Sequence, residues 1–199
     1  DSDDEWLPEK LARSMSQIES GNLSLVAHNG WIMENNQPTK NDIATRFQKA
    51  SDSLFHGIYR RGFLSTSSVI VEKVLINQAG GFDTSLAAGQ DFDLWLKILS
   101  EQDIKFKVFD EYLTKYHVRP ESITRQTDMR LACTIKIAER YVPALRQHGG
   151  SVILSLWFRL MAVHYEAVRA HISAGKYVSA LKVILKIPSV ITKETIKLA

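Results

Sequence analysis

Residues 65–98 read STSSVIVEKVLINQAGGFDTSLAAGQDFDLWLKI, a stretch in which strand and helix signals follow one another. The β-branched run at 65–71 predicts a buried strand. Residues 72–79 predict a helix that ends at a Gly-Gly pair, and residues 91–100 predict a second helix with one apolar face. Two further strands are predicted downstream, at 105–109 and 113–118.

The segment before this stretch predicts a helix, a hairpin, a loop and another helix. Apolar residues recur at helical spacing over 7–20, in the order Leu7, Leu11, Met15 and Ile18. Asn29-Gly30 is a pair that tolerates positive φ, so it predicts the turn of a β-hairpin. The hairpin strands are predicted at 23–28 and 31–33, the loop at 34–42 around Pro38, and the second helix at 53–61.

From Met129 onward the pattern is helical. Helices are predicted at 129–147, 151–174 and 176–187, with breaks at Gly149-Gly150, Gly175 and Pro188. Four large apolar residues of the second of these helices are interpreted as core: Leu154, Trp157, Phe158 and Met161. Because the composition also shifts near residue 128, we predict a first domain at 1–127 and a helical region at 128–199.

The composition excludes several classes of protein. The chain has 199 residues, of which 45% are hydrophobic and 24% charged, so it is long enough for a core and is not a disordered chain. Its single cysteine, Cys133, excludes a disulfide framework and is interpreted as a small buried apolar residue in a reducing, cytoplasmic compartment. The sequence contains no uninterrupted apolar run of the roughly 18 residues that a membrane span needs.

Charge is unevenly distributed along the chain. Residues 1–127 carry 14 Lys and Arg against 18 Asp and Glu, whereas residues 128–199 carry 11 against 4. Lysines surround an apolar face in the last predicted helix, at Lys176, Lys182, Lys186, Lys193 and Lys197. This pattern predicts either a peripheral contact with the anionic inner face of a membrane, or an apolar stripe packed on the preceding helices with its lysines solvated.

The densest group of carboxylates is Asp1-Ser2-Asp3-Asp4. Burying carboxylates this close together is costly without a cation, and hard oxygen ligands suit Mg²⁺ or Mn²⁺. The alternative is an acidic segment in which Asp4 caps the helix at 7–20.

A second carboxylate group lies in Gly89-Gln90-Asp91-Phe92-Asp93. Asp91 stands where a helix begins, so its carboxylate is a candidate general base that takes a proton from a hydroxyl nucleophile. The alternative is that Asp91 or Asp93 only caps the helix.

A third polar group, residues 116–122, reads YHVRPES and ends a predicted strand. Two-residue alternation puts His117 and Arg119 on one side, where the arginine can bind a diphosphate through its bidentate fork. The alternative is a polar strand end that faces solvent.

Taken in order, these motifs resemble the family 2 glycosyltransferases of the GT-A fold. The resemblance rests on DSDDEWLPEKL (1–11), STSSVIVEKVLINQAGGFDTSL (65–86), GQDFDLWLKI (89–98) and YHVRPESIT (116–124). It implies an α/β fold, namely the C-terminal half of a Rossmann-like GT-A domain followed by an all-helical tail. It also implies a nucleotide-sugar donor, a glycan or lipid-linked acceptor, and no nucleic-acid partner.

The resemblance assigns roles to individual residues. Asp1, Asp3 and Asp4 occupy the segment that binds Mn²⁺ or Mg²⁺ in the family. Asp91 matches the family's general base. The implied reaction is an inverting single displacement. Gln90 stands where the family usually has Glu. The family's Arg-x-His pattern is reversed here, as His117-Val118-Arg119. The implied contacts of the donor diphosphate or the acceptor are Gln90, His117, Arg119 and Ser122. The turn Gly80-Gly81-Phe82-Asp83 is expected to be structural, with Phe82 packed inside.

The resemblance further implies that the family's nucleotide-binding half precedes Asp1, so the chain is expected to be a fragment without transfer activity of its own. Two alternatives remain open. The chain is either a non-catalytic helical interaction or membrane-docking module with a vestigial carboxylate motif, or a two-metal phosphoryl-transfer enzyme. The second would need further carboxylates near Asp3.

Overall fold

The structure, a computed structural model, describes residues 3–35, 37–48, 54–62, 64–101, 103–118 and 126–198. Within these ranges the strands are β1 (Glu5–Trp6), β2 (Leu25–Glu34), β3 (Gln37–Asn41), β4 (Val69–Val71) and β5 (Phe106–His117). The helices are α1 (Lys10–Gly21), α2 (Ile43–Gln48), α3 (Leu54–Arg61), α4 (Lys73–Gln78), α5 (Gln90–Leu99), α6 (Thr127–Arg140), α7 (Val142–Gln147), α8 (Val152–Ser173) and α9 (Tyr177–Ile196). A 3-10 turn at Thr66–Ser68 precedes β4.

The five strands form one open sheet in which β5 lies between β1 and β2, and β2 lies between β5 and β3. The short strand β4 also pairs with β2. β2 and β5 run parallel, whereas the other pairs are antiparallel. A parallel pair needs a long crossover connection, which α2 to α5 supply here. This open mixed sheet with helices is an α/β arrangement compatible with the Rossmann-like glycosyltransferase domain that the resemblance implies.

The hairpin predicted at Asn29-Gly30 is wrong, because both residues lie inside the continuous strand β2. The pairing of β2 with β5 is irregular at this point, and a Cβ at Gly30 would lie 2.9 Å from Oγ1 of Thr114. Glycine is therefore needed here for close approach of β5 and not for a turn. The true hairpin turn follows Glu34, where Asn35 has a φ of 50°.

The loop predicted at 34–42 is also wrong, because β3 occupies most of it. Pro38 pairs with Met33 and sits on an edge strand, where a missing backbone N–H is tolerated. The strands predicted at 105–109 and 113–118 are one strand, β5, and only the last three residues of the run at 65–71 form a strand.

The predicted helices are found, with changed ends. The helix predicted at 129–147 is divided into α6 and α7, and α9 continues through Pro188 instead of stopping before it. Proline removes one backbone hydrogen bond within a helix. Pro188 lies on the exposed side of α9, so water can satisfy the carbonyl that loses its partner.

Asn29 joins three elements through a fully buried side chain. Its carbonyl oxygen accepts hydrogen bonds from the backbone nitrogens of Ile43 and Ala44, at 2.7 and 2.8 Å, at the start of α2. Its amide nitrogen donates to Asp110 of β5 at 2.7 Å. Asn29 therefore holds α2 and β5 against β2.

Helix α1 buries a polar face and exposes apolar residues. Leu11 and Met15 are exposed, although their spacing predicted an apolar buried face, while Lys10 and Ser14 are fully buried against the sheet together with His28 of β2. The Lys10 ammonium lies 3.6 Å from the centre of the Trp6 ring, which offers it a cation–π contact in place of water. Burial lowers the pKa of Lys10 to about 8.

The helices after residue 126 share their core with the sheet. Leu25 of β2, Leu94 of α5, Ile137 of α6 and Leu160 of α8 all belong to one cluster and are fully buried. The Tyr59 hydroxyl of α3 donates to the carbonyl of Ala138 at 2.8 Å. Burial of apolar area is the main stabilising contribution to such a core.

Arg140 connects α6 to the segment around α5. Its guanidinium donates to Asp93 at 2.7 Å and to Asp83 at 3.0 Å. Asp93 therefore forms an ion pair and does not cap α5, while Asp83 also accepts from the backbone and hydroxyl of Ser85. The predicted structural role of the 80–83 turn is supported by positive φ at both glycines, but Phe82 is exposed and not packed inside.

Two predictions of burial are wrong in the helical region. Leu154, Trp157, Phe158 and Met161 are exposed, because the core contacts of α8 come from its opposite face, which includes Leu156 and Leu160. Cys133 is a free cysteine and only partly buried. None of the described helices is both long enough and apolar enough to cross a membrane.

We expect Asn29→Ala to lower the free energy of unfolding by about 3 kcal/mol, because two buried N–H groups lose their acceptor and Asp110 loses its donor. Urea unfolding of the 199-residue chain measures this loss. Asp42→Ala is the control, since it removes a helix-capping bond to the backbone nitrogen of Thr45 and should cost about 1 kcal/mol. Equal losses in the two variants would contradict the central role of Asn29.

We also expect the stability to depend on the titration of His28. Burial is the main cause that lowers its pKa to about 4, whereas an unfolded histidine titrates near pH 6.5. Between these pH values the unfolded chain binds a proton that the folded chain does not. The unfolding free energy should therefore fall by about 3 kcal/mol as the pH drops through this window.

Urea unfolding at several pH values from 7 to 4 measures this dependence. His28→Phe should remove this contribution, and His117→Gln, at an exposed ring, should retain it. An unchanged pH dependence in His28→Phe would refute the assignment to His28.

Candidate functional site

Asp4 lies at the carboxyl end of β5. The pairing of β1 with Lys115 and Thr114 of β5 brings it there, since Asp4 directly precedes β1. One carboxylate oxygen of Asp4 accepts from the hydroxyl of Ser67, and the other accepts from the backbone nitrogen of His117 at 3.4 Å. The alternative in which Asp4 caps α1 is wrong, because α1 begins only at Lys10.

Asp91 lies in the first turn of α5, after Gly89, whose φ of 76° is readily adopted by glycine. One carboxylate oxygen of Asp91 accepts from the backbone nitrogen of Phe92 at 2.8 Å, and the other accepts from the hydroxyl of Thr66 at 3.4 Å. Burial raises the pKa of Asp91, and these two hydrogen bonds oppose the rise because they stabilise the charged form. A raised pKa makes the carboxylate a stronger base.

Adjacent residues of the turn Thr66–Ser68 bind the two carboxylates. Thr66 holds Asp91 and its neighbour Ser67 holds Asp4, although these aspartates are 87 residues apart in the sequence. Neither hydroxyl residue is predicted from the sequence, because the β-branched run at 65–71 predicts a strand throughout. The four consecutive hydroxyl residues Ser65–Ser68 were the available signal.

The other predicted contacts are only partly described. The ring of His117 lies 4.0 Å from the carboxylate of Glu5, and more than a third of its side chain is exposed. The amide of Gln90 donates to the carbonyl of Leu86 at 2.7 Å, within its own segment. Asp1, Arg119 and Ser122 lie outside the described residues.

Asp3 and Asp4 are the described residues that fit the predicted metal site. Both are partly buried and offer the hard oxygen ligands that Mg²⁺ and Mn²⁺ prefer. Among described residues, no three or more His, Cys, Asp or Glu side chains are grouped so as to hold a metal. A metal held by only one or two carboxylates plus substrate phosphates, which is common for Mg²⁺, does not need such a group.

A buried arginine packs at the start of α5 and was not singled out in the sequence. The guanidinium of Arg159 in α8 stacks 4.3 Å from the ring of Phe92, the residue after Asp91. Burial lowers the pKa of Arg159 to about 10. Gly62 has a φ of 56°, and a Cβ there would lie 2.7 Å from the same guanidinium. Arg159 therefore packs the start of α5 against α8.

Comparison with known proteins supports a general class. No family model matches the chain. Among curated proteins, UDP-Glc:alpha-D-GlcNAc-diphosphoundecaprenol beta-1,3-glucosyltransferase WfgD of Escherichia coli is 25% identical over 124 residues. The match covers 62% of this chain and 46% of that enzyme, so the chain spans about half the length of this relative. The chain is therefore distantly similar to part of a glycosyltransferase.

Proposed function

We propose that this chain is part of an inverting glycosyltransferase of the GT-A type, with the features of family 2. The reaction moves a sugar from a nucleotide-diphosphate donor to an acceptor hydroxyl. The observation that carries the proposal is that two adjacent residues of the Thr66–Ser68 turn bind Asp91 and Asp4, on a chain similar to a glucosyltransferase. A site of this kind sits where ligands bind in open α/β sheets, outside the carboxyl ends of the strands.

Asp91 acts as the base in this proposal. Its carboxylate takes the proton of the acceptor hydroxyl, while the oxygen attacks the anomeric carbon and the bond from that carbon to the diphosphate oxygen breaks. The partly buried position of Asp91 supports this role, because desolvation raises its basicity. Thr66 and the backbone of Phe92 orient the carboxylate.

The remaining residues are assigned to the donor side and the acceptor. Asp1, Asp3 and Asp4 would hold Mn²⁺ or Mg²⁺, which neutralises negative charge on the leaving diphosphate when it is bound. His117, Arg119 and Ser122, which follow one another at and beyond the end of β5, together with Gln90, would contact the diphosphate or the acceptor.

The substrates are proposed from the relative. The name of the Escherichia coli enzyme gives UDP-glucose as its donor and a diphosphate-linked lipid as its acceptor. We propose a nucleotide sugar of this kind as donor, and a glycan carried on a lipid diphosphate as acceptor.

We expect Asp91→Asn in the full-length protein to lower the transfer rate at least about 100-fold, because the amide cannot take the proton. Donor binding should change little, since Asp91 acts on the acceptor. Transfer from UDP-glucose and calorimetric donor titration measure the two effects. Asp103→Asn, at an exposed carboxylate, is the matched control and should retain activity. An equal loss of donor affinity and turnover in Asp91→Asn would rule out Asp91 as the general base.

Donor binding should also require a divalent metal. We expect the full-length protein to bind UDP-glucose with Mn²⁺ or Mg²⁺ present, and to lose this binding in Asp3→Ala, because a hard carboxylate ligand is missing. Calorimetric titration with and without EDTA measures this binding of UDP-glucose. The control, Asp103→Ala, should bind UDP-glucose as the wild type does. Undiminished donor binding in excess EDTA would disprove the metal site.

A further inference from the structure

Helix α8 exposes an apolar face. Its core contacts come from one side, which includes Leu156, Leu160 and Val163. At 100° per residue the opposite side carries six exposed large apolar residues, namely Leu154, Trp157, Phe158, Met161, Tyr165 and Ile172. Single exposed apolar residues are normal, but a contiguous row of this length indicates a contact surface.

Helix α9 continues this surface and adds charge. Its buried residues are Ala180, Val183 and Glu194, and Val190 and Ile191 also pack against the core. Beside them lies an exposed apolar stripe made of Tyr177, Val178, Leu181, Ile184 and Leu185. The exposed lysines Lys182, Lys186 and Lys193 follow on the far side of this stripe, within about 60° of one another around the helix axis.

The two apolar faces adjoin. A short connection with Gly175 joins α8 to α9, and the indole nitrogen of Trp157 donates to the hydroxyl of Thr195 at 2.8 Å. This bond ties the start of α8 to the end of α9, so the helices are antiparallel. Thr195 lies on the same side of α9 as the apolar stripe, which therefore borders the exposed face of α8, with the lysine row beyond it.

Acidic groups are nearly absent from this hairpin. The acidic residues of α8 and α9 are Glu166 and Glu194. Glu194 is buried and pairs with Lys197 and, at 3.6 Å, with Lys193. Glu166 is about half exposed and pairs with Arg130 of α6. The outer face therefore offers apolar side chains with positive charge along one edge.

We propose that this face, called here the α8–α9 face, docks the protein on the surface of an anionic lipid bilayer. The apolar side chains enter the headgroup region, where the amphipathic Trp157, Tyr165 and Tyr177 are suited to the boundary with water. The lysine row meets the anionic headgroups. Charge complementarity selects this occupant, and the inference does not rest on the proposed function.

Co-sedimentation of the 199-residue chain with vesicles tests the proposal. We expect binding to vesicles of phosphatidylcholine with phosphatidylglycerol at low salt, and weak binding to phosphatidylcholine alone. The triple change Lys182→Gln, Lys186→Gln and Lys193→Gln should lower the partition coefficient about 100-fold, since each lysine near such a surface contributes about five-fold. High salt should have a similar effect on the wild type.

A variant of the apolar stripe separates lipid contact from attraction of charge alone. Leu181→Glu with Leu185→Glu should abolish vesicle binding, whereas Val74→Glu, at an exposed apolar residue of α4, should bind like the wild type. All three positions are exposed, so the fold should persist, and circular dichroism checks it. Quenching by brominated lipid should reach Trp157 and decrease in Trp157→Phe.

Failure of the wild type to bind anionic vesicles would overturn the proposal. So would a dimer in analytical ultracentrifugation that Leu181→Glu with Leu185→Glu dissociates while vesicle binding is absent, because a second copy would then cover the face. Neither vesicle binding nor ultracentrifugation measures glycosyl transfer. Failure of this proposal can therefore be distinguished from failure of the proposed function.

Discussion

The parallel pairing of β2 with β5 is the constraint on which the site depends. It forces the chain through a long crossover, and this crossover contains both the Thr66–Ser68 turn and the start of α5. The same strand β5 pairs with β1, and this pairing places Asp4 at the carboxyl end of β5. Asn29 secures the arrangement from inside, because its buried amide binds α2 and β5 at once.

Charged groups that leave water here are paired or packed in specific ways. Asp93 is nearly fully buried and is matched by Arg140, while Arg159 is buried against the ring of Phe92. Both contacts join the segment of the candidate base to the helices after residue 126. Burial of an unpaired charge is costly, so these contacts favour one position of the helices relative to α5. Helix α8 therefore packs against the core on one side and is exposed on the other.

Exposed apolar residues distinguish α1 and the α8–α9 hairpin from ordinary solvent-facing helices. Periodicity located an apolar row on α1, but Leu11 and Met15 of that row face outward, while the polar residues Lys10 and Ser14 are buried. In α8 both sides are apolar, so the sequence pattern alone does not predict which side packs on the core. The lysines of α9 follow the apolar stripe along one side, which is consistent with a surface that meets negative charge.

Local sequence determined the elements that depend on local physics. The positions of α3, α4, α5 and α8, and Asp91 at the start of its helix, follow from periodicity and from Gly signals at helix ends. Pairing between distant strands follows no such local rule. The Asn29-Gly30 pair is typical of a turn, yet it is part of a strand because β5 approaches Gly30 at Thr114. The contacts of Asp4 with Ser67 and of Asp91 with Thr66 likewise join residues far apart in the chain. Only the tertiary structure decided them, because the crossover sets which hydroxyl meets which carboxylate.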